Sequence, residues 1–220
     1  PFLQKVESES EGFSDEKIKL PEKMLSTDKA YTWGEIEKWL ERISKFSEEI
    51  NVQLSEIQIK GTAKLDGFAG YDDGKKLYTR GDGNKGSDIS RVFQRGLGIL
   101  NDSERGQGPG EIVVKRSYFE DHLSNDFEYP RNFQASLIKE KELDKFARDA
   151  IDAKAALFVP FKQLPFWKGN IDEFKNQFLD IVIKLEEGVD FDIDGVVFEI
   201  VNPELKEFMG SNRKFHRWQI

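Results

Sequence analysis

Two short stretches of this chain carry side chains whose types and spacing could do chemistry. Lys64-Leu65-Asp66-Gly67 sets an amine and a carboxylate two positions apart, and Thr79-Arg80-Gly81-Asp82-Gly83 follows with an arginine inside a glycine-rich loop. In an extended chain Thr62, Lys64 and Asp66 point to one side while Ala63 and Leu65 point to the other. The apolar pair can enter a core, which leaves Lys64 and Asp66 on an open face. A lysine held there is a candidate nucleophile. The Arg80 loop is a candidate clamp for a phosphate or a ribose, because a guanidinium fork matches paired oxygens. Lys-x-Asp-Gly is a common string, so its weight depends on its neighbours. Taken alone it reads more readily as a solvated lysine before a turn glycine.

The elements that must position these residues can be read from periodicity and caps. Thr32 with Glu35 three residues later makes a capping box. Ile36, Trp39, Leu40, Ile43 and Phe46 then recur at helical spacing, predicting an amphipathic helix to about Ile50. A strand is expected over 56–65, followed by a hairpin turning at Asp72-Asp73-Gly74 and returning over 76–80. Asp88 is expected to cap a short helix carrying Val92, Phe93 and Leu97. Residues 101–110, with three glycines and a proline, read as a loop. Then come a buried strand over 111–115, a helix from Ser117 to about Asn125, a helix over 134–150 and an apolar strand over 155–161. The chain closes with a helix over 171–187, a strand over 191–201 and a short helix over 203–209 that begins on Pro203. Residues 1–20, with Phe2, Val6 and Phe13 thinly scattered, read as an extended lead-in. Strands and helices alternate without a regular βαβ beat, which points to an α+β fold with antiparallel sheets.

Composition bounds the function more loosely. With 220 residues, 38% of them hydrophobic and 34% charged, and with 18 Phe, the chain can bury a sizeable core. It has no cysteine, which excludes disulfides and thiolate metal sites and fits a cytoplasmic setting. His122 and His216 form no zinc pattern and read as ordinary surface residues. No apolar run approaches the ~20 residues that span a bilayer, so no membrane partner is expected. The net charge of −8 argues against a stand-alone nucleic-acid binder, although Arg213, Lys214, His216 and Arg217 cluster near the end of the chain. The first residue is Pro1 rather than Met, consistent with a piece of something longer.

The order of the short motifs is more specific than any one of them. Lys64-Leu65-Asp66-Gly67, the hairpin, Thr79-Arg80-Gly81-Asp82-Gly83-x-x-Gly86-x-Asp88, Gly110-Glu111, Pro130-Arg131-Asn132 and Asp192-Ile193-Asp194-Gly195-Val196-Val197 occur in one series. That series resembles the adenylation domain of bacterial-type NAD-dependent DNA ligases, a branch of the covalent nucleotidyltransferases. Met24-Leu25-Ser26 and Arg217-Trp218 extend the likeness over essentially the whole chain, so that 1–220 is expected to be one adenylation domain. The resemblance implies antiparallel sheets flanked by helices around a nucleotide cleft.

It also implies residue roles. Lys64 would attack the α-phosphate of NAD and become adenylated, which requires a depressed pKa supplied by partial burial and nearby positive charge. Asp66 would orient it. Arg80 would contact the ribose and later the 5′-phosphate of the nick, and Glu111 would accept from a ribose hydroxyl or sit near magnesium. Ser26, Thr62, Val197 and Glu199 would line the nucleotide site. Arg131, in a turn, would engage nicked double-stranded DNA or the nicotinamide side of NAD. Mg2+ is implied because charge develops on phosphoryl oxygens, but no dedicated metal-ligand set is apparent.

Four departures from the family pattern bear on activity. A glutamate that reads the adenine edge usually stands two residues before the nucleophile, where this chain has Thr62. Pro109 replaces an arginine before Gly110-Glu111, and the hairpin between Lys64 and Arg80 is short. The family lysine after Asp-Gly-Val-Val is replaced by Glu199. Strand parity puts Glu199 on the face of Val197 and Ile193, where an anion opposes phosphates unless a metal ion offsets it; a Glu199 paired with a local basic residue would instead mark an altered or inactive pocket. The resemblance leaves out a helical NMN-binding domain, an OB-fold and further ligase domains. A divided, viral version with a second subunit is therefore one expectation. A non-catalytic relative that binds nucleotide or a partner is another, and an ATP- or GTP-using RNA ligase or capping relative is a third.

Overall fold

The computed structural model describes residues 17–139 and 142–220. In chain order the strands are β1 (Ile18–Lys19), β2 (Gln58–Leu65), β3 (Phe68–Asp72), β4 (Leu77–Thr79), β5 (Lys85–Gly86), β6 (Gly98–Ile99), β7 (Gly108–Val114), β8 (Ala156–Pro160), β9 (Phe166–Asn170) and β10 (Ile193–Ile200). The helices are α1 (Trp33–Glu49), α2 (Arg91–Gln94), α3 (Arg116–His122), α4 (Pro130–Lys139), α5 (Lys145–Asp152), α6 (Ile171–Glu187) and α7 (Pro203–Met209). Of the expected lead-in, Phe2, Val6 and Phe13 lie outside the described residues. Packing divides the chain into two units. The first holds the described residues through Met24 with Leu65–Gln163 and Asp190–Asp192, and the second holds Leu25–Lys64, Leu164–Val189 and Ile193–Ile220.

The first unit is built on a five-stranded sheet in the order β4-β3-β7-β8-β6. Its pairs are antiparallel except β6 with β8, which run parallel. One face carries Leu77, Ile112, Val114, Ala156 and Phe158 into a core completed by Phe119, Phe133, Leu137, Ala147 and Ile151 from the helices. Phe133 and Phe158 have no exposed surface, and burying such a side chain stabilises by about 1.5–3 kcal/mol. On the other face Tyr78 packs with Leu20 and Met24.

Two local devices shape the loops of this unit. Gly81 has φ 53°, and a Cβ there would sit 1.9 Å from the carbonyl oxygen of Lys85, so no larger residue fits the turn. Asp82 closes the same turn by accepting from the backbone N–H groups of Asn84 and Lys85, both at 2.8 Å, which hold its carboxyl below the usual carboxylate range. Asp72 is fully buried at the end of β3. Its Oδ1 accepts from Arg105 Nε at 2.8 Å, and its Oδ2 accepts from the Gly106 N–H at 2.8 Å. Arg105 in turn stacks on Phe93, 3.9 Å from the ring centroid. One buried carboxylate thus ties the β3–β4 hairpin to the 104–106 loop.

The second unit packs helices on one side of a three-stranded sheet, order β10-β2-β9. Along β2 the odd-numbered positions are buried and the even-numbered ones half-buried without a break. Ile57 and Ile59 meet Phe198 and Ile200 of β10, together with Trp39 and Ile43 of α1 and Phe174, Ile181 and Leu185 of α6. Phe174 lies edge-on to Phe198 at 4.8 Å between ring centroids. Both long helices start on capping boxes, Thr32 with Glu35 and Asn170 with Glu173.

The sequence expectations hold for α1, α6, α7, the hairpin and the alternation of β2, and they fail at identifiable places. The helix expected over 134–150 is two helices, because Asp144 caps a new one by accepting from the Ala147 N–H at 2.7 Å. Arg131 lies not in a turn but in the first turn of α4, which Pro130 opens. Asp88 does not cap α2. It accepts from the backbone and hydroxyl of Ser90, which occupies the N-cap position. Strand β7 begins at Gly108, inside the expected loop. Strand β9 was not anticipated, since Phe-Trp-Lys-Gly-Asn shows no period of two; its pairing with β2 defines it. Among the described residues no helix is long and apolar enough to cross a membrane.

Gly81→Ala should lower the thermal midpoint by about 5 °C or more, from left-handed strain plus the carbonyl clash, as read by calorimetry. Arg105→Met should cost about 3 kcal/mol in denaturant unfolding by leaving the Asp72 carboxylate buried and unpaired. A loss below ~0.5 kcal/mol would show that the contact is not structural.

Candidate functional site

In the second unit, β2 presents Lys60, Thr62 and Lys64 on the face of the sheet opposite the core. Lys64 Nζ donates to both carboxylate oxygens of Asp194, each at 2.6 Å. The two side chains are each about a third exposed, so the pair is held yet open to a ligand. The charge beside the candidate nucleophile is therefore negative, not positive as expected. Regular alternation along β10 would put Asp194 on the side of Val196 and Phe198. Gly195 intervenes with φ 150°, a backbone that L side chains rarely adopt.

Strands β2 and β10 run antiparallel. Val201 N–H donates to Gln58 O at 2.8 Å at one end, and Lys64 meets Asp194 at the other. Val197 accordingly lies near Thr62, and Glu199 near Lys60. On the far side Phe166 of β9 pairs with Thr62, is 59% exposed, and lies under the ammonium of Lys60 at 5.2 Å.

Glu199 shares this open face as parity predicted, but it does not stand as an uncompensated anion. Its Oε2 accepts from Lys206 Nζ at 2.8 Å. Lys206 Nζ also lies 4.2 Å from the centroid of the Trp218 ring. His216 stacks on that ring at 4.4 Å and its Nδ1 is 2.6 Å from Ser211 Oγ, so it is not the ordinary surface residue the sequence suggested. Burial pushes its pKa down, with the nearby Lys206 charge adding to the effect. Ser26 bridges to Phe215, with its N–H donating to Lys214 O at 3.0 Å.

In the first unit, Asp66 and Arg131 are brought together, Nη1 to Oδ1 at 2.9 Å. The backbone of Asp66 is also fixed: its N–H donates to Asp192 O at 2.9 Å. With its carboxamide turned to suit both neighbours, buried Gln134 donates to Asp66 O and accepts from the Val114 N–H, both at 3.2 Å. Arg80 and Glu111 flank Ala69 of β3. Ala69 pairs with Glu111 in register and accepts from the Arg80 N–H at 3.0 Å. Arg80 and Glu111 thus lie on either side of β3, their backbones two strand spacings or about 10 Å apart. Glu111 is 8% exposed.

Sequence reasoning left two of these residues without a role. Asp194 was visible in Asp-x-Asp-Gly, but nothing indicated that it would reach Lys64. Lys206 carried no signal at all. Among the described residues no group of three or more His, Cys, Asp and Glu could hold a metal ion.

The chain is 62% identical over 215 residues to a DNA ligase of Ruthia magnifica subsp. Calyptogena magnifica, covering 98% of this chain and 35% of that one. It is 50% identical over 220 residues to a DNA ligase of Shewanella baltica, covering 100% and 34%. A DNA ligase of Wolbachia sp. from Brugia malayi is 31% identical, covering 91% and 33%. The chain thus spans about a third of the length of the curated relatives it matches. The family model for the NAD-dependent DNA ligase adenylation domain matches residues 13–155. The chain belongs to the NAD-dependent DNA ligase adenylation domain family.

Proposed function

We propose that residues 1–220 form the covalent nucleotidyltransferase core of an NAD-dependent DNA ligase, with Lys64 as the nucleophile. The observation that carries this reading is the Lys64–Asp194 pair on the open face of the second unit's sheet, where the amine is held by a carboxylate able to take its proton. Lys64 Nζ forms a bond to the α-phosphorus of NAD, the bond from that phosphorus to the bridging oxygen breaks, and nicotinamide mononucleotide leaves with the electron pair. The proton lost by Lys64 passes to Asp194. The AMP then moves from Lys64 to the 5′-phosphate of a nick, and the 3′-hydroxyl displaces it.

The remaining residues have roles suited to their chemistry. Arg80 and Glu111, on either side of Ala69, supply donors and an acceptor for ribose hydroxyls. Arg131 fixes the Asp66 carboxylate and offers its other donors to a phosphate. Ser26, Thr62, Val197 and Glu199 are the nucleotide-lining candidates. The donor chemistry fits a magnesium ion carried mainly by substrate phosphates, with Glu111 as its candidate protein ligand. When bound it would neutralise charge on the phosphoryl oxygens. Nicked double-stranded DNA is the proposed substrate, engaged together with further ligase domains, in the same or a second polypeptide, in the cytoplasm. Glu199 pairs with the local basic residue Lys206, and that is the observation that favours the second reading, a non-catalytic relative with an altered pocket.

Incubation with NAD and magnesium should add one AMP to the intact mass, and Lys64→Ala should abolish the adduct. Absence of an adduct, in this chain and in one extended by the relatives' flanking domains, would overturn the enzyme reading. An adduct formed from ATP or GTP in preference to NAD would favour the RNA ligase or capping alternative. Asp194→Asn should slow adduct formation about 10²–10⁴-fold with little change in thermal midpoint. An unchanged rate would remove Asp194 from the proton path.

A further inference from the structure

Glu199, Lys206, Trp218 and His216 form a connected group, of which the reading above uses only Glu199, as a nucleotide-lining candidate without a stated contact. A surface ion pair ordinarily contributes only about 0–1 kcal/mol, and helix α7 does not need this one. Its start is already capped by Asn202, whose side chain accepts from the Leu205 N–H at 2.8 Å, and its inner side is anchored by buried Leu205 and Met209. Yet the lysine is held from two directions, by the Glu199 carboxylate at 2.8 Å and by the Trp218 face at 4.2 Å. The ring itself is fixed by His216. Each charged side chain stays about a quarter exposed, which is held geometry with access for a ligand.

The chemistry on offer is an acceptor beside a donor. An ionised carboxylate accepts at both oxygens, and with Oε2 engaged by Lys206, Oε1 can take a further donor. The ammonium has three hydrogens and directs one at Glu199. An adenine edge presents the complement, an exocyclic amine donor next to a ring-nitrogen acceptor. The position also suits a base. Glu199 lies four strand positions from Gly195, at the Lys64 end of the same face, or ~13 Å. That is the scale of a mononucleotide laid along the strand with its phosphate at Lys64. Exposed Phe166 and half-buried Val197 flank Thr62 along the way, giving apolar surface for a ring. Thr62, at the middle of the face, has no carboxylate to do this reading itself.

We propose that Glu199 and Lys206 are the base-reading pair of this chain, Glu199 accepting from the adenine amine and Lys206 donating to the adjacent ring nitrogen. The assignment rests on the reading that an adenine nucleotide is joined to Lys64. Lys206 is a binding residue here, and Trp218 with His216 positions it. The pair also explains how an anion can occupy this face of a nucleotide site, since its charge is balanced and its hydrogen-bonding capacity is turned to the base.

The test separates binding from chemistry by using Lys64→Ala protein, which cannot form the adduct. Calorimetric titration should show AMP binding at least about tenfold more tightly than inosine monophosphate, whose carbonyl replaces the amine donor. Adding Glu199→Ala should bring that ratio to about one, and adding Lys206→Met, which keeps the stem on Trp218, should weaken AMP about tenfold with the thermal midpoint unchanged. Thr62→Glu, placed on the same face, should restore part of the preference lost in Glu199→Ala. A ratio untouched by Glu199→Ala, or no saturable AMP binding, overturns the inference. Adduct formation by the unmodified chain is scored separately, so an adduct with unchanged selectivity refutes the base-reading pair alone.

Discussion

The strict alternation of strand β2 is the constraint on which the arrangement depends. Ile59, Gly61, Ala63 and Leu65 are buried while Lys60, Thr62 and Lys64 stay half-exposed. Because the period is two, a slip of one residue would drive Lys60 and Lys64 into the core and expose the apolar set. Burying unpaired ammonium groups is far costlier than any gain available locally. The core of the second unit therefore fixes the register of β2, and the register presents the candidate nucleophile. Folding energy and function are joined in one strand.

Three charged pairs hold candidate-site side chains outside the cores. Lys64 has Asp194, Asp66 has Arg131 and Glu199 has Lys206. Such part-exposed pairs add little to stability. Their effect is orientation: each holds a long or flexible charged group in one direction while leaving capacity for a substrate's oxygens, hydroxyls or base edge. Among the described residues, Asp72 with Arg105 is of the other kind, a carboxylate with no exposed surface whose partner is structural.

The sequence was a good guide wherever the determinant is local. Capping boxes and helical spacing located α1, and spacing alone located α6, because both depend on residues three or four apart. The Gly81 turn was legible for the same reason. Failures occurred where a tertiary partner decides. The break before α5 needed the Asp144 cap to outweigh a continuous helical pattern. Strand β9, which shows no period of two, is defined by its pairing with β2. The hairpin and β7 lie in register only because their backbones meet across the sheet.

By itself the sequence determined which residues could do chemistry: Lys64 and Asp66 by strand parity, Arg80 by its glycine-rich turn, and Glu199 as an anion on the open side of β10. It also carried, through the order of its motifs, the family to which the chain belongs. Tertiary structure alone decided what those residues touch. Asp194 reaches Lys64 from 130 positions away, and Arg131 reaches Asp66 from 65. Lys206, nearer in sequence, reaches Glu199 because a turn and a short helix fold it back over Trp218. The physical reason is range. Backbone periodicity and caps act over a few residues, whereas the sign and direction of charge at a site depend on which distant strands and helices the core brings side by side.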